Sequence, residues 1–151
     1  MSFIYTKAKN RFATGGFNWT QGTSQNFRAM FVTAAYTPDQ DVHEFLAAVP
    51  TTARKGNNNN TGMTNGKLLT PKTPASGVLS VNTIVQFTGI PNGVAIKYVL
   101  IYKDGVTDAD APLLCLIDSG FGLPFTTNGG DLYLSFGTDS ATEIVRAVLK
   151  L

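Results

Sequence analysis

The alternation of apolar and polar positions predicts a chain built mainly of β-strands. Residues 94–103 are the strongest strand candidate because they are rich in β-branched and aromatic side chains. The other strand candidates, which turn residues separate, are residues 27–34, 78–87, 113–117, 131–136 and 143–151. Because no helical pattern interrupts the strands after residue 77, we expect an antiparallel β-sandwich or barrel.

A short helix is expected at the N-terminus, over residues 2–13. Apolar side chains recur there at helical spacing, and a Gly-Gly pair follows as a stop signal. The apolar positions are Phe3, Ile4, Ala8 and Phe12.

A second short helix is predicted near residues 38–48. The proline after Thr37 suits the first position of a helix, since its missing N–H is not needed there. Thr37 with Gln40, and Asp41 with Glu44, have the three-residue spacing of a capping box. In such a box two side chains satisfy orphan backbone N–H groups. We therefore assign these four side chains to helix capping.

Residues 51–76 differ in composition from the rest of the chain. Asparagine, glycine and proline dominate the segment, and only Leu68 and Leu69 offer an apolar pair to bury. A loop of this length in a compact domain is functional, disordered or ordered by a partner. We therefore expect a long extended arm that contacts with other subunits hold in place.

Composition constrains the partners. The chain has 151 residues, which suits a single domain over residues 1–151, and only 15% of them are charged, with a formal net charge of +2. Such a surface has no basic face, so we expect no specific binding of nucleic acid. No apolar run is long enough to span a bilayer, and the first residues lack a signal-peptide core. We therefore expect no membrane association, and a protein that stays in its cell or leaves within a larger particle.

The densest group of reactive side chains consists of Asp39, Asp41, His43 and Glu44. A zinc site would need two or three His or Cys ligands, but the chain has a single histidine and a single cysteine, Cys115, in an unrelated apolar run. A calcium loop would need a glycine at its turn and a bidentate glutamate twelve positions on, and neither is present. We therefore predict no catalytic residue, no metal and no cofactor, and a protein that is not an enzyme.

Aromatic side chains leave one binding function open. Phe17, Trp19, Tyr98, Tyr102 and Tyr133 could form a face on which sugar rings stack. A carbohydrate-binding β-sandwich is therefore an alternative to a structural role.

Three blocks of the sequence have a distinctive order and spacing. They are residues 35–45 (AYTPDQDVHEF), residues 98–104 (YVLIYKD) and residues 112–134, which begin with PLLCLID. In these blocks the chain resembles a group of small structural proteins of tailed bacteriophages, over roughly residues 27–50 and 94–136. The resemblance implies a virion component made in the host cytoplasm. A capsid decoration (cement) protein is the first choice and a neck or tail subunit the alternative.

A decoration protein would bridge capsid subunits as a symmetric homo-oligomer, with a trimer preferred. Its partners would be the major capsid protein or other virion subunits. We expect the interface to use apolar and asparagine side chains of the first helix, of the polar segment after it and of the arm. These are Phe3, Tyr5, Phe12, Trp19, Asn57, Asn58, Asn59, Asn60, Met63, Leu68 and Leu69.

Overall fold

The computed structural model describes residues 2–20, 25–75, 78–81, 84–136 and 147–150. Over these residues the chain is mainly β, with antiparallel sheets, one short α-helix and a sandwich-like arrangement that does not close into a barrel. The predicted fold class is therefore confirmed, as the sandwich.

The strands in chain order are β1 (Phe3–Ile4), β2 (Phe27–Thr33), β3 (Arg54–Lys55), β4 (Lys67–Leu68), β5 (Lys72–Ala75), β6 (Val78–Val81), β7 (Ile84–Phe87), β8 (Ala95–Lys103), β9 (Leu113–Ile117), β10 (Phe125–Thr126), β11 (Leu132–Ser135) and β12 (Ala147–Lys150). The α-helix, α1, spans Thr6–Ala13. Short 3-10 helices lie at Leu46–Ala48, Thr51–Ala53, Asn57–Asn59, Met63–Asn65 and Asp108–Asp110.

Strand β8 is the centre of the main sheet. It pairs antiparallel with β2 on one side, and with β9 and β10 on the other. Strand β1 extends the sheet beyond β9, while β3 and β4 pair with the far edge of β2. Residues 98–102 of β8 are all buried, so both faces of the sheet are covered at its centre. This explains why residues 98–102 form an uninterrupted apolar and aromatic run.

Strands β7 and β11 pair with each other and cover one face of the main sheet. Phe87 of β7 packs on Phe31 of β2 with ring centroids 4.7 Å apart, and Phe125 meets the same Phe31 edge-on at 5.7 Å. A third sheet has the order β12-β6-β5. The predicted strand over residues 78–87 is therefore two strands, β6 and β7, which belong to different sheets.

The N-terminal helix is shorter than predicted. Phe3 and Ile4 form β1 against β9, and the Tyr5 N–H donates to Leu114 O at 3.1 Å, so the helix begins only at Thr6. In the first turn of a helix the backbone N–H groups have no acceptor within the helix. Pairing with the edge of the main sheet instead gives these first residues backbone hydrogen bonds. Within the described ranges, no helix is long and apolar enough to cross a membrane.

No α-helix forms near residues 38–48, and the predicted capping boxes are wrong. A turn at residues 40–42 is followed only by the 3-10 helix Leu46–Ala48. Asp39 caps this turn, because its Oδ1 accepts the backbone N–H groups of Asp41 and Val42, both at 3.0 Å. Bonds of this local kind compete with helix formation.

The side chains assigned to helix capping form other contacts. Gln40 Nε2 donates to Ile4 O at 2.9 Å, Asp41 accepts a bond from the Thr6 hydroxyl, and Glu44 pairs with Arg11 at 2.7 Å. Thr37 is exposed. Three of the four residues therefore tie this loop to the N-terminal segment, instead of closing a helix.

The segment predicted to be an extended arm, residues 51–76, belongs to the chain's own fold. Strands β3 and β4 pair with β2, and β5 pairs with β6. Ala53, Arg54 and Leu69 within the segment are buried. The expectation that other subunits hold it in place is therefore wrong, because the chain supplies both its partner strands and its core contacts. Residue 76 lies outside the described residues.

The asparagine run is the least regular part of this segment, and side-chain bonds fix it. Asn57 Oδ1 accepts the Thr88 N–H at 3.0 Å, and the Asn58 N–H donates to Thr88 O at 2.7 Å. Asn58 and Asn59 have φ angles of 55° and 56°, a left-handed conformation that asparagine tolerates better than most residues. Asparagine is therefore used here for its backbone conformation and its hydrogen bonds.

Candidate interaction surface

Three side chains anchor the loop over residues 36–44 to the core. The hydroxyls of Tyr5 and Tyr36 lie 2.9 Å apart, and that of Tyr36 lies 2.8 Å from His43 Nδ1. The Asp39 N–H donates to the same Nδ1 at 3.2 Å, so this nitrogen acts as an acceptor. Burial raises the pKa of Tyr36 to about 12 and that of Tyr5 still higher, so both hydroxyls stay neutral. Nδ1 of the only histidine therefore has a structural role, because its hydrogen bonds hold this loop.

Arg54 joins this loop to its neighbours through a buried guanidinium. Only 2% of the side chain is exposed, and it donates to Leu46 O at 2.8 Å and to Val49 O at 2.9 Å. It also donates to Thr61 O and forms an ion pair of 2.5 Å with Asp108. The planar donor fork of arginine suits such simultaneous bonds. The single side chain therefore links four places in the chain.

The loop over residues 104–110 is closed around Asp110. Its carboxylate accepts the Thr107 N–H at 2.6 Å. A Cβ at Gly105 would lie 2.5 Å from the backbone O of Asp110, so only glycine fits. Asp104 pairs with Arg28 at 2.7 Å. The loop is therefore well tied at both ends.

These ties leave a small apolar surface, which we call the valine patch, on two adjoining loops. It consists of Val42, Ala47 and Ala109, which share one pocket, together with Val106, which is exposed on the same loop as Ala109. Val42 is 70% exposed and Val106 is 88% exposed. Val42, Ala47 and Ala109 line one shallow pocket of about 460 Å³, and Val106 lies three residues before Ala109. Apolar side chains exposed on well-tied loops are typical of an interaction site.

Carboxylates are concentrated on the two loops that carry the valine patch. The same two loops carry six of the chain's ten acidic residues: Asp39, Asp41, Glu44, Asp104, Asp108 and Asp110. Glu44, Asp104 and Asp108 are neutralised in the ion pairs with arginine. Asp39, Asp41 and Asp110 are exposed, and among the described residues they form no ion pair. The rim of the patch is therefore negative, although the whole chain is not.

Three residues predicted to form an interface are instead part of the core. Tyr5, Trp19 and Leu69 are at most 3% exposed, so they offer no surface to a partner. Trp19 is buried because it packs on Phe27 of β2, with ring centroids 4.6 Å apart. These predictions are wrong because the chain folds its polar segments over its own sheet.

The remaining predicted interface residues lie at or near the surface. Half-buried are Phe3, Phe12, Asn57, Asn59 and Met63, and exposed are Asn58, Asn60 and Leu68. They do not include the members of the valine patch, which the sequence did not single out.

Tyr133 is the only one of the five candidate sugar-stacking aromatics that is exposed. The other four are at most 7% exposed, whereas Tyr133 is 60% exposed on the outer side of β11. Gln86 Nε2 lies 3.2 Å from its hydroxyl and donates to Asp131 at 2.6 Å. A groove of about 240 Å³, lined by aromatic side chains including Phe121 and Phe125, adjoins the ring.

The structure offers no metal site in the part of the chain that it describes, because no three His, Cys, Asp or Glu side chains are grouped there. Cys115 of β9 is buried, and burial raises its pKa to about 12. Its thiol is therefore protonated at neutral pH and inert.

Comparison with family models, with curated proteins and with solved structures finds no match to this chain.

Proposed function

We propose that this protein is a non-enzymatic structural subunit of a bacteriophage virion, a decoration protein that binds capsid protein through the valine patch. The observation that carries the proposal is a pair of exposed valines, Val42 and Val106, on loops that Arg54 and Asp110 tie down. A surface that is already ordered loses little conformational entropy on binding. Covering its apolar atoms is then favourable.

The resemblance to phage structural proteins supports this choice of surface. The block over residues 35–45 forms the loop that carries Val42. The blocks over residues 98–104 and 112–134 begin with β8 and β9, and the loop between these strands carries Val106. The resembling spans, residues 27–50 and 94–136, thus contain all four members of the patch, whereas Arg54, which ties the loops, lies outside them.

The negative rim indicates the chemistry of the partner. A basic surface on the capsid protein would complement Asp39, Asp41 and Asp110 and would steer the encounter. Several copies on one particle, as in a trimer, would sum weak contacts through multivalency. Binding to the assembled head alone would stabilise that assembly by mass action.

A double variant tests the proposal. Val42→Ser with Val106→Ser should keep the stability of the wild type, because both side chains are exposed, and should bind empty capsids of the encoding phage more weakly. We expect a loss of at least about tenfold, since burying one valine is worth about 1.5 kcal/mol or more. The measurement is co-sedimentation with capsids over a range of salt concentrations.

Ile84→Ser is the matched control, because Ile84 is also exposed but lies on β7 and outside the patch. Equal binding by the double variant and the control would contradict the assignment of the patch. Electron microscopy of labelled particles separates the two virion roles: label over the head supports decoration, and label confined to the neck or tail favours the alternative.

Carbohydrate binding is a second candidate, favoured by the exposed ring of Tyr133 beside Gln86 and Asp131. Sugars are bound through an apolar ring face together with neighbouring polar groups, and this corner offers both. On a glycan array, reproducible binding lost in Tyr133→Ala and retained in Tyr133→Phe would support it. Substitution of Trp19 would not test it, because Trp19 is core.

A further inference from the structure

The chain contains three Asn–Gly pairs, which differ in their exposure and in the hydrogen bonding of the glycine N–H. They are Asn65–Gly66, Asn92–Gly93 and Asn128–Gly129. An asparagine before glycine can lose its side-chain amide when the glycine nitrogen attacks Asn Cγ. The attack requires a glycine N–H that is free and a side chain that can reach it.

Two of the pairs are protected. The Gly93 N–H donates to Thr127 O at 2.8 Å, a bond that must break before the nitrogen can attack. Gly66 is buried beneath the Tyr102 hydroxyl, and its N–H donates to Met63 O at 3.4 Å.

The third pair is exposed and set up for the reaction. Asn128 and Gly129 are both exposed, and among the described residues the Gly129 N–H has no acceptor. The Gly130 N–H donates to Asn128 Oδ1 at 3.0 Å, which folds the side-chain amide over the following backbone. The same N–H would stabilise the negative charge that develops on this oxygen during attack at Cγ.

We propose that Asn128 is a site of spontaneous deamidation. The Gly129 nitrogen forms a bond to Asn128 Cγ, its proton passes to the departing amide nitrogen, and ammonia leaves a five-membered imide. Water then adds to one imide carbonyl and the carbon–nitrogen bond there breaks. Cleavage at Cγ gives aspartate, and cleavage at the backbone carbonyl gives isoaspartate, with one additional carbon in the main chain.

The product alters the turn before β11. A new carboxylate arises three residues before Asp131, on the side of the molecule that carries Gln86 and Tyr133. Thr127 is tied to the adjacent turn by bonds to Pro91 O and from the Val94 N–H, so the change is confined to residues 128–131.

The test uses the native full-length chain and its own two control sites. The folded protein is incubated in mildly alkaline buffer, and peptide mass spectrometry follows deamidation at all three asparagines, with isoaspartyl methyltransferase labelling to identify isoaspartate. We expect Asn128 to react about tenfold faster than Asn92 and Asn65, because each protected site must first break a hydrogen bond or open locally. In concentrated urea the three rates should converge.

Two variants complete the experiment. Asn128→Gln should abolish the fast reaction, and Asn65→Gln should leave it unchanged. The proposal is overturned if the three sites react at similar rates in the folded chain, or if Asn92 or Asn65 leads.

Discussion

The guanidinium of Arg54 is a single group on which several loops depend. Replacing it in Arg54→Met leaves the carbonyls of Leu46 and Val49 without a donor and Asp108 without its cation. We expect the free energy of unfolding to fall by about 2–4 kcal/mol, because these buried acceptors are left unpaired. Urea denaturation measures the loss.

Lys55→Met is the control for this prediction, because Lys55 is the next residue and only half-buried. It should change stability by less than about 1 kcal/mol. Similar losses in the two variants would show that Arg54 is not the residue that holds the loops.

Cys115 predicts a loss of stability in alkali. Burial raises the pKa of its thiol from 9.0 to about 12. Between these values the unfolded chain releases a proton that the folded chain retains, so this contribution is complete below pH 9 and is lost as pH rises towards 12. One such group costs about 1.4 kcal/mol per pH unit in this window.

The measurement compares wild type with Cys115→Ala by urea denaturation from pH 8 upward. Tyr36 begins to contribute only above its ordinary pKa of 10.0. All other titrating groups are shared by the two proteins, so the stability of the wild type relative to the variant should fall progressively from about pH 9. Parallel curves for the two proteins would contradict the assignment to Cys115.

For single residues, the sequence predicted the environment of some side chains and missed that of others. The pattern correctly predicted that Cys115 is buried in an apolar run. It did not predict that Arg54 is buried, because arginine in a segment rich in asparagine reads as exposed. Most of its acceptors are backbone carbonyls, which have no sequence signal, and Asp108 lies 54 residues away.

At the scale of the elements, the residue that caps the turn at residues 39–42 is Asp39, and not Asp41 as predicted. Asp39 accepts two backbone N–H groups, whereas Asp41 accepts one hydroxyl at the surface. Asp39→Ala should therefore cost about 1 kcal/mol of unfolding free energy, as loss of a cap does. Asp41→Ala should cost only a few tenths. Thermal denaturation of the two single variants measures the difference, and a larger loss for Asp41→Ala would restore the original assignment.

The strands could be predicted where alternation or a long apolar run is strong, as for β2, β8, β9 and β11. Two-residue strands such as β3 and β4 could not, because they exist only through pairing with β2. The helix near residues 38–48 failed for a related reason. Its capping spacing is genuine, but Asp39 and the N-terminal segment compete successfully for the same groups.

Considered as a whole molecule, the chain should be stable without partners over residues 51–75. An arm held by other subunits would be cut rapidly by trypsin at Lys55 or Lys67 in a monomer. Because β3 and β4 pair within the sheet, we expect cleavage there no faster than global unfolding. Limited proteolysis of dilute protein, analysed by mass spectrometry, checks this, and heated protein provides the cleavable control.

Rapid cleavage within residues 51–75 of an otherwise intact monomer would contradict this structure of the segment.

The fold class could be predicted from the spacing of strands and turns, because these are local signals. The valine patch could not, because it depends on two loops that lie about 60 residues apart and meet only in the folded chain.

The position of β8 in the chain also determines when the main sheet can form during translation. Strand β2 pairs with it along its whole length, although about 70 residues separate the two in the chain. While a ribosome makes the intervening residues, the nascent β2 has an apolar surface and an unpaired edge where β8 will lie. Strand β9, in contrast, follows β8 closely. Translation must therefore pass residue 103 before the sheet can assemble, and products that terminate earlier should aggregate or be degraded.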